Sequence, residues 1–264
     1  MNPPISNQYD PANAAALCAA SQAAYSPGPL SPAAQIDNSQ TDTRVIAFRD
    51  SGDLIVAFRG TQDLRNWLTD LDCRLVQLDS FRVHRGFHAA LQSVWRDLRT
   101  TLSDLAPRRL WFTGHSLGGA LAMLAAHHIE TTATDLVAGV YTFGQPRVGD
   151  ARFRDACDRL LKPRAFRCVH AADIVPRVPW LLASFRHAGH EIFFPRPQIT
   201  NDNFSMTNSK WRFDPVWFQK LPYDLLGLTA ECTRGKLALI ADHHIDTYLN
   251  LFQPSAVSAA HCNP

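Results

Sequence analysis

Ser116 is the residue whose setting most directly predicts chemistry in this chain. It stands between Gly114 and Gly118 in LWFTGHSLGGALAML, where an apolar run ends and a small-residue helical pattern begins. A strand that turns sharply into a helix needs small residues on both sides of the bend, because larger side chains would collide there. The serine then lies at a helix N-terminus, where unpaired backbone N–H groups suit an oxyanion formed during acyl transfer. The segment, with His115 preceding the serine, therefore predicts a nucleophile elbow.

A serine hydroxyl is a weak nucleophile, so it needs a base, and the base needs an acid that orients it. After such an elbow the partners follow in the chain order serine, acid, histidine. Asp173 in VHAADIVPRVP follows a predicted strand and is the candidate acid, with Asp150 after VYTFG as the alternative. The segment ADHHIDTYL offers His243 and His244 as the base. Adjacent side chains on a helix point about 100° apart, so only one of the two can serve.

The elements that must hold these residues alternate along the chain. Two β-rich runs, residues 44–49 and 54–60, are separated by a Ser-Gly-Asp turn and predict a hairpin. Apolar residues at helical spacing predict a helix over residues 86–105. Further strands are predicted at 110–114, 137–144, 165–170 and 190–195, and further helices at 117–129, 150–161 and about 235–252. This alternation predicts an α/β fold with a mostly parallel central sheet and helices on both faces.

The composition narrows the function classes. The chain has 264 residues, of which 46% are hydrophobic, and its formal net charge is +2. This length suits a single α/β domain, and the near-neutral charge predicts no nucleic-acid partner. No apolar run is long enough to cross a bilayer, so no transmembrane segment is expected.

The first ten residues, MNPPISNQYD, contain no Lys or Arg, whereas a secretory signal needs positive charge. Asp10 and Pro11 instead predict a helix N-cap and first turn. We therefore expect a cytoplasmic protein or export by a non-Sec route. The six cysteines form no CxxC pair, so we expect free thiols and no metal site.

Several sequence blocks, in order, resemble the class 3, or fungal-type, lipases of the α/β-hydrolase superfamily. The resemblance covers roughly residues 12–195 and the C-terminal histidine region. The blocks are VAFRGT (56–61), NWLTDL (66–71), VHRGF (83–87), TGHSLGGALAML (113–124), TFGQPRVGD (142–150), ADIVPRVP (172–179) and FRHAGHEIFF (185–194). The resemblance implies the α/β-hydrolase fold over one domain, residues 1–264, with a variable excursion over 196–235.

The resemblance also implies roles for single residues. Ser116 matches the nucleophile and Asp173 the acid. His243 matches the base because it stands five residues before Tyr248, as in bacterial and plant relatives. In the fungal enzymes the histidine lies closer to its tyrosine, which leaves His244 open.

Two oxyanion-hole donors follow from the same resemblance. Thr61 takes the position that offers a backbone N–H and a hydroxyl, and the backbone N–H of Leu117 is the second donor.

The segment over residues 62–75 has an apolar stripe at i, i+3, i+4 and i+7, with charged residues off the stripe. A short amphipathic helix of this kind covers an apolar cleft in water and turns that face toward lipid at an interface. The resemblance implies a lid here, and a helix packed permanently on the core is the alternative. The stripe consists of Leu64, Trp67, Leu68 and Leu71.

The resemblance thus implies a triacylglycerol lipase, a monomer that hydrolyses acylglycerol esters at a lipid–water interface through an acyl-enzyme. It implies no metal and no organic cofactor. A phospholipase A1 or a feruloyl-type esterase is the alternative among enzymes. An inactive hydrolase-fold binding protein is the alternative from a different class.

Overall fold

A seven-stranded sheet forms the centre of the computed structural model, which describes residues 8–26, 28, 31–61, 74–171, 173–179, 184–195 and 242–252. The strands are β1 (Ala34–Asn38), β2 (Thr43–Asp50), β3 (Asp53–Phe58), β4 (Leu75–Leu78), β5 (Phe81–His84), β6 (Leu110–His115), β7 (Val137–Phe143), β8 (Ala165–His170) and β9 (His190–Phe194). The spatial order in the seven-stranded sheet is β1-β2-β3-β6-β7-β8-β9, and β4 and β5 form a separate hairpin.

The first three strands of this sheet pair antiparallel, and every pairing from β3 to β9 is parallel. All residues of β6, β7 and β8 are buried, as expected for central strands covered on both faces. The carboxyl ends of β6, β7 and β8 lie side by side at one edge. The candidate serine and acid both follow strands that end at this edge. The predicted mostly parallel α/β sheet is confirmed.

Helices cover both faces of the sheet. One face packs against α2, α3 and α4, and the other packs against α1 and α5. Asp10 caps α1 as predicted, because its Oδ1 accepts from the Ala12 backbone N–H at 2.7 Å. The helices are α1 (Pro11–Ala23), α2 (Arg85–Leu105), α3 (Leu117–Thr132), α4 (Ala151–Leu161) and α5 (Ile245–Asn250).

Some boundaries differ from the sequence prediction. The strand predicted over residues 54–60 ends at Phe58, after which the chain leaves the sheet toward the elbow. Strand β1 and the β4–β5 hairpin were not predicted, because both are short and only partly buried. The final helix begins at Ile245 within the described residues.

Two predicted features lie outside the described residues. These are the excursion over 196–235 and residues 62–73 of the predicted lid segment, which include its apolar stripe, Leu64, Trp67, Leu68 and Leu71; the last residue of that segment, Leu75, opens β4.

Three cysteines fall within the described residues, namely Cys18, Cys157 and Cys168. All three are buried and unpaired with another cysteine, which agrees with the expected free thiols. In the same part of the chain, no helix combines the length and apolarity needed to cross a membrane.

Candidate active site

Ser116 occupies the turn between β6 and α3. Its backbone has φ 58° and ψ −130°, a conformation that residues with a side chain rarely adopt. Such a backbone typically costs about 1–3 kcal/mol and persists only where the surroundings fix it. Here the Ser116 N–H donates to the Phe143 carbonyl at 2.9 Å, and the Ser116 carbonyl accepts from the Gly119 N–H at 3.0 Å. The predicted strand, sharp turn and helix are all present.

The two glycines of the elbow are required by close backbone packing. A Cβ added to Gly114 would overlap the Gly118 backbone and lie 2.7 Å from the Gly119 nitrogen. A Cβ added to Gly118 would overlap the Phe58 carbonyl oxygen at the end of β3. Because neither glycine has a side chain, helix α3 can start directly against β3 and β6. This packing brings the end of β3 beside Ser116.

Asp173 and His243 form a buried hydrogen-bonded pair. The Nδ1 atom of His243 lies 3.0 Å from Oδ1 and 2.9 Å from Oδ2 of Asp173. Asp173 is 0% exposed and His243 2% exposed, so water does not screen this contact. Because a carboxylate only accepts hydrogen bonds, Nδ1 carries the proton and Nε2 presents its lone pair.

Tyr248 supports the acid from the first helix after the candidate base. Its hydroxyl donates to Asp173 Oδ2 at 2.7 Å and accepts from the His170 backbone N–H at 3.0 Å. Burial, followed by the charge of the Asp173 carboxylate, raises the pKa of Tyr248 well above its usual value. The phenol therefore stays protonated and keeps donating. The Val175 N–H donates to the other oxygen, Oδ1, at 2.9 Å.

The alternatives left open by the sequence lie elsewhere in the structure. Asp150 caps α4 by accepting from the Phe153 N–H at 3.0 Å, and it pairs with Arg82 at 3.2 Å. His244 is mostly exposed, and its Nδ1 lies 3.4 Å from Asp246. Of the two aspartates and two histidines considered, Asp173 and His243 are the pair that the fold brings together.

His243 is held next to the elbow by its neighbours. The His115 and His243 ring centroids are 4.5 Å apart, and His115 immediately precedes Ser116. On the other side, a Cβ added to Gly144 would lie 2.7 Å from His243 Nδ1 and 2.8 Å from Asp173 Oδ2. Gly144 also has φ +61°, which favours glycine.

The oxyanion-hole candidates lie on both sides of Ser116. Leu117 opens α3, so its N–H is one of the first of that helix. Gly60 precedes Thr61, and a Cβ on Gly60 would approach Ser116 Cβ to 3.2 Å. The chain leading to Thr61 thus passes directly over the elbow.

Arg59 anchors this same chain segment. Its guanidinium donates to the Asp42 carbonyl at 2.8 Å and also pairs with the Asp42 carboxylate. The Arg59 side chain is 7% exposed, so a buried ion fixes the backbone just before the oxyanion-hole candidate.

Tyr248 and Gly144 were not predicted as parts of the site. Tyr248 served only to locate the histidine, although its fixed spacing from His243 was a usable signal. Gly144 lies in the matched block TFGQPRVGD, but its contact with His243 depends on three-dimensional packing. Within the described ranges, no cluster of three or more His, Cys, Asp or Glu residues could hold a metal ion.

Comparison with known proteins adds independent findings. Residues 55–182 match the family model described as Lipase (class 3). The chain is 34% identical over 162 residues to a lipase of Rhizomucor miehei, covering 57% of this chain and 44% of that relative. It is 30% identical over 159 residues to the secreted mono- and diacylglycerol lipase 1 of Fusarium solani, covering 57% of this chain and 46% of that relative. The chain thus spans less than half the length of these curated relatives.

A solved structure supports the fold assignment. The Rhizomucor miehei triacylglyceride lipase superposes with a TM-score of 0.61 at 26% identity, covering 69% of this chain and 78% of that chain. The predicted α/β-hydrolase fold is confirmed by this likeness together with the observed sheet order.

Proposed function

We propose, because residues 55–182 match the family model of the class 3 lipases, that this chain is a serine carboxylester hydrolase of the α/β-hydrolase superfamily. The proposed activity is that of a triacylglycerol lipase, which cleaves acylglycerol esters through an acyl-enzyme intermediate. The proposed nucleophile is Ser116, the base His243 and the acid Asp173. The chemistry needs neither a metal nor an organic cofactor.

One observation carries the proposal: the buried Asp173–His243 hydrogen bond lies beside a serine held in a strained elbow. The carboxylate fixes the imidazole tautomer with Nδ1–H toward Asp173. The lone pair of Nε2 is then available for the Ser116 proton. Both Ser116 Oγ and His243 Nε2 are buried, and neither forms a hydrogen bond with a described residue. These are the two atoms between which the mechanism moves a proton.

In the first half of the proposed reaction, the Ser116 hydroxyl attacks the ester carbonyl as His243 Nε2 takes its proton. Asp173 stabilises the imidazolium that forms. The N–H groups of Leu117 and Thr61 bind the developing oxyanion, and losing one such donor typically costs roughly 3 kcal/mol of barrier. His243 then protonates the leaving alcohol, which departs and leaves an acylated serine.

In the second half, water attacks the acyl group and gives its proton to His243. The same donors stabilise the second oxyanion, and collapse of the intermediate releases the fatty acid. His243 returns the proton to Ser116, so the enzyme ends in its starting state.

The test compares hydrolysis of an emulsified long-chain triacylglycerol with that of a soluble short-chain ester. Ser116→Ala provides the blank, and Ser93→Ala is the matched control, because Ser93 lies on α2 and bonds the Ala90 carbonyl at 2.8 Å. We expect emulsion hydrolysis by the wild type and the control, and none by Ser116→Ala. A fluorophosphonate should label one site, identified by mass spectrometry as the peptide that carries Ser116.

The outcomes separate the alternatives. Hydrolysis of the soluble ester alone, blocked by Ser116→Ala, would keep the serine chemistry and reject the lipase assignment. Faster release of fatty acid from phosphatidylcholine vesicles than from the emulsion would favour a phospholipase. An intact chain that neither turns over any ester nor reacts with the fluorophosphonate would reject the proposed function altogether.

A further inference from the structure

His115 makes two hydrogen bonds that join three separate parts of the chain. Its Nδ1 lies 2.9 Å from the hydroxyl of Tyr25, just after α1. Its Nε2 lies 2.5 Å from the main-chain carbonyl oxygen of His243. The Tyr25 hydroxyl is also packed against Gly60, where an added Cβ would overlap it. These contacts connect the chain segment before Thr61 with the backbone of the proposed base.

The partners fix the tautomer of His115. A carbonyl oxygen can only accept, so the hydrogen must be on Nε2. Nδ1 of the neutral ring is then an acceptor, and the Tyr25 hydroxyl donates to it. In this neutral form both ring nitrogens are paired and the hydrogen of the Tyr25 hydroxyl has an acceptor. A second proton on Nδ1 would remove the acceptor for which the Tyr25 hydroxyl is positioned.

Burial also favours the neutral form of His115. His115 is 5% exposed, and desolvation, followed by the nearby charge of His243, lowers the pKa of His115 well below its usual value. The titratable groups that face this ring are Tyr25, His243, His244 and Tyr248. Among these neighbours no carboxylate offsets the cost of a second positive charge.

The neutral state matters because the two imidazoles are close. The His115 and His243 rings have centroids 4.5 Å apart and planes inclined by 32°. In the proposed reaction His243 becomes positively charged. A neutral ring at this distance tolerates that charge, whereas a protonated ring would oppose it.

We propose that His115 is a positioning residue for His243, an inference that rests on the proposed function. Its Nε2–H holds the His243 carbonyl, and the Tyr25 hydroxyl holds His115 in the neutral tautomer that makes this contact. Tyr25 and His115 thereby fix the distance between the oxyanion-hole segment and the base.

Two substitutions at His115 separate the effects of its two hydrogen bonds. In His115→Gln the amide nitrogen reaches the position of Nε2 and keeps the donor to the His243 carbonyl. In His115→Asn the shorter amide reaches the position of Nδ1 and keeps only the contact with Tyr25. We expect His115→Asn to lower kcat by about 10–100-fold with little change in KM, because small misplacements of a reacting group have costs of this order. His115→Gln should recover most of that loss.

Tyr25→Phe tests whether the Tyr25 hydroxyl keeps His115 neutral. Losing a donor to the neutral form of His115 raises the pKa of His115. The acid limb of the kcat/KM profile should therefore move to higher pH, and kcat should fall. Tyr141→Phe is the matched control, because the buried Tyr141 hydroxyl accepts from the Asp10 N–H at 3.2 Å, away from the base. This control should leave the pH profile in place.

The tautomer can be read without turnover. Proton–nitrogen correlation spectra of histidine-labelled Ser116→Ala protein should show a pyrrole-type Nε2 and a pyridine-type Nδ1 for His115. The His115 signal is assigned by its loss in a His115→Asn background. Melting temperatures of all variants establish that each folds.

The outcomes distinguish this inference from the proposed function. Equal kcat for His115→Gln and His115→Asn would overturn the carbonyl contact as the basis of positioning. If the pH profile of kcat/KM for Tyr25→Phe superposed on that of Tyr141→Phe, the claim that Tyr25 keeps His115 neutral would be overturned. A protonated Nδ1 on His115 near neutral pH would overturn the assigned tautomer. An inactive wild type with the expected spectrum would instead reject the proposed function and preserve the geometry.

Discussion

Gly144 offers the sharpest test of how tightly the candidate site is packed. Its added Cβ would lie 2.7 Å from His243 Nδ1 and 2.8 Å from both His243 Cε1 and Asp173 Oδ2. Real Cβ atoms essentially never approach other atoms closer than 3.0 Å. In Gly144→Ala the imidazole or the carboxylate must therefore move by several tenths of an ångström. Neither can move freely, because both are buried.

Gly144→Ala should have two separate effects, one on folding stability and one on kcat. The backbone of Gly144, at φ +61°, costs an alanine about 1–2 kcal/mol of folding stability. The displacement of the Asp173–His243 pair acts on the reaction, since a misplacement of about 1 Å can cost roughly 100-fold in rate. We expect kcat to fall by about 10–100-fold, while the protein stays folded.

The assay measures kcat on a soluble ester, with the active fraction counted by fluorophosphonate titration, and stability by urea unfolding. Gly52→Ala is the control, because Gly52 has φ +94° but no atom within 4 Å of its added Cβ. It carries the backbone strain without the contact, so it should lose stability and keep kcat. If Gly144→Ala also kept the wild-type kcat, the Asp173–His243 geometry would not be limiting and the argument would fail.

Three further predictions follow from single contacts. Tyr248→Phe removes a donor to Asp173 and leaves a buried backbone N–H without its acceptor, so urea unfolding should show a loss of about 2–4 kcal/mol. Asp173→Asn should lower kcat on a soluble ester by about 10⁴-fold. Asp150→Asn keeps an oxygen that caps the helix and loses only the ion pair with half-exposed Arg82, so it should preserve kcat and change stability little; the reverse result would exchange the two roles. Burial, followed by the charges of neighbouring cationic groups, lowers the pKa of His127 from 6.5 to about 4. As pH falls below about 6.5 the unfolded chain therefore takes up a proton that the folded chain does not. The free energy of unfolding should decrease from there and level off below about pH 4, after a loss of up to about 3 kcal/mol. Unfolding free energies of His127→Asn should fall less steeply over that window than those of the exposed-residue control His190→Asn, and parallel curves would refute it.

The parts of the fold that follow a strong local pattern were predictable. Burial on both faces makes β6, β7 and β8 continuous apolar runs, and the glycines around Ser116 mark the turn that only small residues can make. Asp10 was predictable as an N-cap because Pro11 is typical of the first position of a helix, and a carboxylate just before it can accept from the unpaired N–H groups of the first turn.

Other parts depend on contacts between residues distant in sequence. The residues alone left Asp150 as an alternative to Asp173, which the resemblance favoured. The contact of Asp173 with His243, 70 residues further along the chain, was visible only in the structure. The contact of His115 with the His243 carbonyl spans 128 residues, and no periodicity carries such information. Strand β1 was missed because its five residues, AQIDN, contain one large apolar side chain and are only partly buried, which is too short a pattern to recognise in the sequence.

The hydrogen bonding of the site divides its polar atoms into two groups. The supporting atoms are satisfied: the Asp173 carboxylate accepts from three donors, and both nitrogens of His115 are engaged. Ser116 Oγ and His243 Nε2 are buried, and neither has a hydrogen-bond partner among the described residues. An unpaired buried polar atom is costly, so proteins keep few of them, and functional sites are one place where they are kept. The cost here falls on the two atoms that the proposed reaction uses, while the surrounding bonds keep the imidazole from turning toward any other partner.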